Sequence, residues 1–277
     1  MSRRSLFSAS ALLACLSLSS PLALAQPPGG FQPPPPSTPR ESAQADITGY
    51  WVALVTEDWL WRMVTPQRGD VTSIPLNGAG RQAANAWDLE KDVADGLQCK
   101  AFGAAGLMRL PLRLHVTWED DYTLRIDTDA GQQTRLLRFA ADTAADAEPS
   151  WQGRSLAAWT RPVGGFDMRA IFGDPSDLPQ GSVKASLQVV TDTLLPGYLR
   201  KNGVPYSERT QLVEYFSTLQ HGDHEYLTLL SIVRDPVYLN GDFVTSSQFK
   251  KEPDGKNWNP TPCLTAPPAQ QVARGAD

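Results

Sequence analysis

Apolar and polar side chains alternate along much of the chain. Leu110, Leu112, Leu114, Val116 and Trp118 alternate with Arg109, Arg113, His115, Thr117 and Glu119, the pattern of a half-buried strand. Pro111 has no amide hydrogen, so the paired part of this strand is expected to start after it. Asp120-Asp121 reads as a turn. Tyr122, Leu124 and Ile126 then alternate with Thr123, Arg125 and Asp127. A second turn follows at Asp129-Ala130-Gly131-Gln132, and Thr134 to Phe139 returns. These features predict a meander of three antiparallel strands.

The second half repeats the style. Val183, Ala185, Leu187 and Val189 alternate with Lys184, Ser186 and Gln188. Residues 209–219 predict another strand, His221-Gly222-Asp223-His224 its turn, and Glu225 to Arg234 the return, which Asp235-Pro236 stops. Residues 242–250 give a last strand, and Trp151 to Trp159 and part of 165–172 add further strand patterns. One helix is predicted, with Asn77 as cap, Ala79, Ala83 and Trp87 at i, i+4 spacing, and Gly96 near its end. Strands do not alternate with helices, so parallel βαβ folds are disfavoured. The expectation is a mainly β protein of eight to ten antiparallel strands. They form a barrel, or a curved sheet that wraps on itself, with the helix in an insertion after the first strand (residues 66–107).

The ends of the chain read differently. Arg3 and Arg4, the apolar stretch Leu6 to Leu18, and Ala23-Leu24-Ala25 before Gln26 make residues 1–25 a signal peptide. Two finer readings stand beside ordinary cleavage. Ser2-Arg3-Arg4-Ser5-Leu6-Phe7 has the look of a twin-arginine signal, and Leu12-Leu13-Ala14-Cys15 that of a loose lipoprotein box. Residues 26–45, with Pro27-Pro28, Pro33 to Pro36 and Pro39, read as a stiff Pro-rich linker. The barrel domain is placed at 46–264, and 265–277 as a flexible tail.

Composition narrows the function. The chain has 277 residues, 25 Lys+Arg against 30 Asp+Glu, and a formal charge of -5. An acidic balance without a basic stripe argues against nucleic-acid binding, and no apolar run after the signal is long enough to span a membrane. Removal of residues 1–25 takes Cys15 with it. Cys99 and Cys263 remain, an even pair for an oxidising compartment, and a disulfide between them is predicted. The expected location is periplasmic or secreted.

Several clusters are candidates for chemistry. Glu57-Asp58-Trp59-Leu60-Trp61-Arg62 packs two acids, two Trp and an Arg into six residues. If it is a strand, Glu57, Trp59 and Trp61 share one face, and aromatic rings beside an ion pair can grip an amphipathic ligand or a sugar ring. The bland alternative is a Trp-rich barrel rim with surface ion pairs. Arg109, Arg113 and His115 fall on the polar face of one strand. Facing inward they would bind an anion. The alternating Leu face is the stronger core signal, so an outward, solvated orientation is favoured. Pro196 to Ser207 reads as a long loop carrying Tyr198, Arg200, Lys201, Asn202 and Tyr206, either contacting ligand at a barrel mouth or held by its own packing. His221 and His224, with Asp223 and Glu225, read as an exposed turn rather than a metal site. No G-x-S-x-G, H-E-x-x-H or P-loop occurs in the chain, and no cofactor is called for.

Gly49-Tyr50-Trp51 opens the first strand, and a G-x-W in that place resembles the lipocalin and wider calycin pattern. The resemblance implies that Trp51 plugs one end of a barrel with an Arg from a late strand over it, a part that Arg234 could play. Thr191-Asp192 resembles a second lipocalin signature. The stretches 57–66 and 196–208 are similar to those of a group of secreted bacterial proteins with no settled function. The leading expectation is an exported cell-envelope barrel that binds a small amphipathic or apolar molecule. Two alternatives stand beside it. One is an enzyme on the same scaffold (isomerase, cyclase or hydrolase) using Glu57, Asp58, Arg62 and His115. The other is a structural envelope protein that binds a protein partner.

Overall fold

The computed structural model describes residues 37–140, 147–160 and 186–268. In chain order the elements are β1 (Gly49–Leu54), α1 (Trp59–Met63), α2 (Gly78–Asn85), α3 (Leu89–Ala94), a 3-10 turn (Gln98–Phe102), α4 (Ala104–Leu107), β2 (Arg113–Asp120), β3 (Thr123–Thr128) and β4 (Thr134–Arg138). They continue with β5 (Arg154–Thr160), β6 (Ser186–Asp192), β7 (Gly197–Arg200), β8 (Val204–Tyr206), β9 (Gln211–His221), β10 (His224–Arg234) and β11 (Phe243–Glu252). Nine of the strands close a barrel in the order β1-β11-β10-β9-β6-β5-β4-β3-β2, while β7 and β8 form a separate hairpin.

The β2-β3-β4 meander and the β9-β10 hairpin, turning at Gly222-Asp223, form where the alternation predicts them. The barrel is mixed rather than purely antiparallel. Leu137 faces Ser155 and Arg138 faces Leu156 in a parallel pairing of β4 with β5. A tight hairpin cannot join parallel neighbours, so this pair takes a longer connection than the other meander strands.

Alternation also sets the inside. Trp51, Leu114, Leu124, Ile126, Leu137, Leu187, Phe216, Leu227, Leu229 and Phe249 are fully buried, each 0% exposed, and belong to one cluster. Burial of each such side chain is worth about 1.5–3 kcal/mol, and a barrel of this size is just wide enough for its own side chains to fill it. The interior is therefore a packed core. A polar cluster interrupts it: Arg135 on β4 meets Glu214 on β9 inside the barrel, with nitrogen–oxygen distances of 3.1 and 2.5 Å, and also reaches Thr191.

One end of the barrel holds Gly49 and the turns after β2 and β9. Residues 37–45, from the stretch read as linker, are fastened at this end. Arg40 N donates to Asp121 O, and Trp159 Nε1 donates to Pro39 O. The opposite end is capped by residues 55–112 and the β7-β8 hairpin, whose Ile74, Leu76, Ala84, Leu199, Val204 and Tyr206 pack with Leu212 and Val233 of the barrel. Among the described residues no helix is long and apolar enough to cross a membrane. Cys99 and Cys263 form a disulfide.

Four local expectations are corrected. The insertion holds three short helices and a 3-10 turn instead of one helix, and α1 precedes it. Asn77 does cap α2, its side chain accepting from Gly80 N, but that helix ends at Asn85 and Gly96 follows α3. Leu110 and Leu112 are buried and β2 starts at Arg113, after Pro111, as the missing amide hydrogen of Pro111 leads one to expect. Residues 57–62 are no strand, and residues 196–207 are no loop but the β7-β8 hairpin. The strand pattern at 165–172, the start of that at 183–189, and the signal peptide lie outside the described residues.

Candidate functional site

The segment from Glu57 to Met63 leaves β1 and turns into α1 through Asp58, which sits in the left-handed region at φ 50°. A helix separates residues two apart by about 200°, so Trp59 and Trp61 face opposite ways instead of sharing a face. Trp61 turns in. Its Nε1 donates to Asp70 Oδ2 at 2.8 Å, and the Arg200 guanidinium lies 5.4 Å from its ring centre. Trp59 turns out and is 61% exposed, with Met63 51% exposed one helical turn on.

Glu57, Asp58, Trp61, Arg62, Arg109 and Arg200, spread over three stretches of sequence, do converge. Arg109 donates to Asp58 Oδ2 at 2.5 Å and to Ser246 O at 2.7 Å. Glu57 accepts from Ser246 Oγ and Gln248 Nε2 on the outer face of β11. Arg62 is buried; its Nε donates to Arg109 O, and its Nη2 has no hydrogen-bond partner among the described residues. Burial, and then the neighbouring Arg109, push the Arg62 guanidinium down to about 10. Arg109 is not on β2, so it does not form one face with Arg113 and His115.

The hairpin residues act on the insertion. Arg200 donates to the carbonyls of Asp70 and Thr72, Lys201 to that of Met63, and Asn202 to those of Gln67 and Asp70. Tyr198 OH donates to Asp92 at 2.7 Å, and Tyr206 is fully buried. Burial pushes both phenols up, with the Asp92 carboxylate adding to the effect at Tyr198. Arg200, Lys201 and Asn202 thus clasp the 63–72 loop onto the β7-β8 hairpin, and Tyr198 ties the hairpin to α3.

Beside α1 the outer wall of the barrel carries a groove of about 530 Å³. Val52, Ala53 and Val55 of the β1 segment and Pro111 and Leu112 form it together with Trp59 and Met63, and Arg113 is its one charged neighbour. Arg113 is itself bound to Glu252 at 2.9 Å and lies 3.7 Å from Asp129.

The remaining candidates lie elsewhere. His115 faces outward beside Tyr50, at the far end of β1 from Glu57. His221 and His224 sit opposite each other at the β9-β10 turn, both exposed. Trp51 is fully buried and donates to Ile47 O. The cation over it is Lys251, 5.1 Å from the ring centre and paired with Glu225 at 2.7 Å. Arg234 is not that cation: it ends β10 at the capped end of the barrel, exposed and paired with Asp242. Thr191 is buried against Ser155 and Arg135, and Asp192 pairs with Arg154.

The sequence pattern gives no role to Arg135, Glu214 or Trp258, and gives Asp235 only that of a strand stop. Only the inward register of Arg135 and Glu214, two residues before Leu137 and Phe216, carries a signal. No protein-family model, curated protein or solved structure matches this chain.

Proposed function

We propose that the chain is an extracytoplasmic, lipocalin-like barrel that binds a small amphipathic molecule, and that the guest lies in the outer groove beside α1. The observation that carries this reading is the pair Trp59 and Met63, exposed and walling an otherwise apolar groove. Exposed apolar surface of this kind, rimmed by polar groups, is the common mark of a binding site. The packed interior moves the expected site from the hollow of the barrel to its wall. An apolar tail would lie along Val52, Val55, Pro111 and Leu112, with its polar end toward Arg113. The Glu57-Asp58-Arg109 network would hold α1 in place as the outer lip. Support for the lipocalin-like type comes from Gly49-x-Trp51 opening the first strand of a closed barrel, with Trp51 buried beneath Lys251. Support for an oxidising compartment comes from the Cys99–Cys263 disulfide.

The groove is open on one side, so affinity on the order of 10 μM is expected rather than nanomolar. The test is titration of the chain with a dansyl-labelled undecanoic acid, with sodium dodecanoate as competitor. A saturable fluorescence rise is expected, displaced by dodecanoate and at least tenfold weaker in Trp59→Ala and Met63→Ala. Both side chains are more than half exposed, so the fold should survive, as a urea midpoint would show. No saturable binding, or binding indifferent to both substitutions, overturns the reading. One observation favours a partner protein at the same lip: Leu60, which does not line the groove, is 49% exposed and extends the apolar surface.

A further inference from the structure

A second concave site lies on the other side of β2, on the outer wall of the barrel. His115 and Asp127 face each other across β2 and β3. With Gln132 and Thr134 they line a pocket of about 310 Å³ that Trp258 and Pro260 close from the C-terminal segment. His115 stacks on Tyr50 with ring centres 4.1 Å apart and planes within 6°. Trp258 stands edge-on to both, at 5.9 and 6.1 Å and 67–68°. Three rings therefore form an aromatic corner on a surface that needs none for its core.

The polar side of the pocket is equally specific. Asp127 accepts from Arg125 Nε at 2.8 Å and from Thr134 Oγ1 at 2.5 Å, which fixes the carboxylate and leaves further lone pairs. Burial raises its pKa, but the bonds from Arg125 and Thr134 and the nearby His115 outweigh that, so the carboxyl titrates below its ordinary range. Gln132 is held in the left-handed region at φ 48° with its backbone N–H on Asp129 O, and among the described residues neither its side-chain amide nor the His115 ring nitrogens make a hydrogen bond. An imidazole and an amide without partners beside an oriented carboxylate offer donors and acceptors that a ring of hydroxyls can satisfy. The aromatic corner offers a face to C–H groups. The carboxylate disfavours an anion, and the hydroxyl-binding groups disfavour an acyl chain.

The wall is built deliberately. Thr261 N donates to Asp129 O, Gly131 N donates to Thr261 O, and the disulfide anchors Cys263 to the 3-10 turn. Gly255 passes so close to Tyr50 that a Cβ there would lie 2.7 Å from the ring. These contacts press Trp258 against the pocket. We infer that this pocket binds a single neutral saccharide ring, with Trp258 against its C–H face and Asp127, Gln132 and His115 on its hydroxyls.

The test is saturation-transfer NMR on the intact chain with glucose, galactose, mannose and N-acetylglucosamine, with inorganic phosphate as the anion probe. Saturation of the ring C–H protons of at least one sugar is expected. Its apparent affinity should fall at least tenfold in Trp258→Ala and in Asp127→Asn, and stay within about threefold of the original in Trp258→Phe. Dodecanoate at saturating concentration should leave the sugar signal in place, which keeps this outcome separate from that of the groove. No saturation of any sugar, an undiminished signal in Trp258→Ala, competition by phosphate, or loss of the signal with dodecanoate would each overturn the inference.

Discussion

Arg135 and Glu214 sit where a barrel of this kind ordinarily carries Leu or Val. Their side chains are 0% and 1% exposed, so neither charge is screened by water. Arg135 also reaches Thr191 Oγ1, which shares a hydrogen bond with Ser155, yet among the described residues Arg135 Nε has no hydrogen-bond partner. Desolvation of the two ions costs several kcal/mol, and their mutual attraction roughly offsets it, so the pair gives specificity of packing more than net stability. Removing one partner is a different matter, because it leaves an uncompensated charge in the core. Glu214→Leu alone should cost about 3–5 kcal/mol in urea unfolding, while Arg135→Met with Glu214→Leu should recover most of that loss. A double variant no better than the single one would show that the pair is indispensable to the packing. The alternation in the sequence places both residues inward, since Arg135 precedes Leu137 and Glu214 precedes Phe216 by two. Their partnership across 79 positions is set by strand order around the barrel, and no local pattern carries that information.

Short elements were the least legible, and Glu57 to Met63 shows why. Over five residues a period of 2 and a period of 3.6 both bring the first and the fifth residue to one face, as with Trp59 and Met63, and they differ only over the side Trp61 takes, so apolar Trp59-Leu60-Trp61 fits a strand as well as a helix. What decides is tertiary: Asp58 is held by Arg109, and Trp61 finds Asp70 beneath it. The β7-β8 hairpin escaped notice for a similar reason, because its turn depends on Gly203 at φ 76°, over which the Trp87 ring closes. By contrast Asp235-Pro236 was read correctly as the end of β10, but only as a stop. The Asp235 carboxylate in fact accepts from Ser207 N and Oγ, Thr210 Oγ1, Val237 N and Tyr238 N, and so ties the start of β9 to the exit of β10. Asp235→Ala would leave these donors in a buried site. A loss of about 3 kcal/mol is expected, since bonds to a charged acceptor are the stronger kind and several would go at once. The check is the urea midpoint, with Asp235→Asn retaining part of the stability; a loss under about 1 kcal/mol would mean that water replaces the carboxylate freely.

At the scale of the whole molecule, the strand-rich barrel and the disulfide were legible, whereas the strand partners that close the barrel were not. The first strand must pair with the last, Tyr50 with Glu252 and Leu54 with Gln248, and nothing local in either segment specifies the other. The disulfide acts on the same long-range problem. Cys99 lies in the cap between β1 and β2, and Cys263 follows β11, so the bond ties the early insertion to the segment after the closing strand across 164 positions. In the chain-entropy view a loop of that length removes enough freedom from the unfolded chain to stabilise the fold by about 4–5 kcal/mol. Cys99→Ser with Cys263→Ser should therefore lower unfolding free energy by roughly that amount, with the nine barrel pairings otherwise intact in amide exchange. The segment from Gly255 to Thr261 should lose protection before any barrel strand, because it pairs with no strand and is tied by Thr261 to the β3-β4 turn, by Asn257 to Glu252 and by the ring contacts of Trp258 and Gly255 with Tyr50 and His115. A loss under about 1 kcal/mol, or barrel strands that open together with the tail, would show that the C-terminal segment docks by its own contacts and that closure does not depend on the covalent tie.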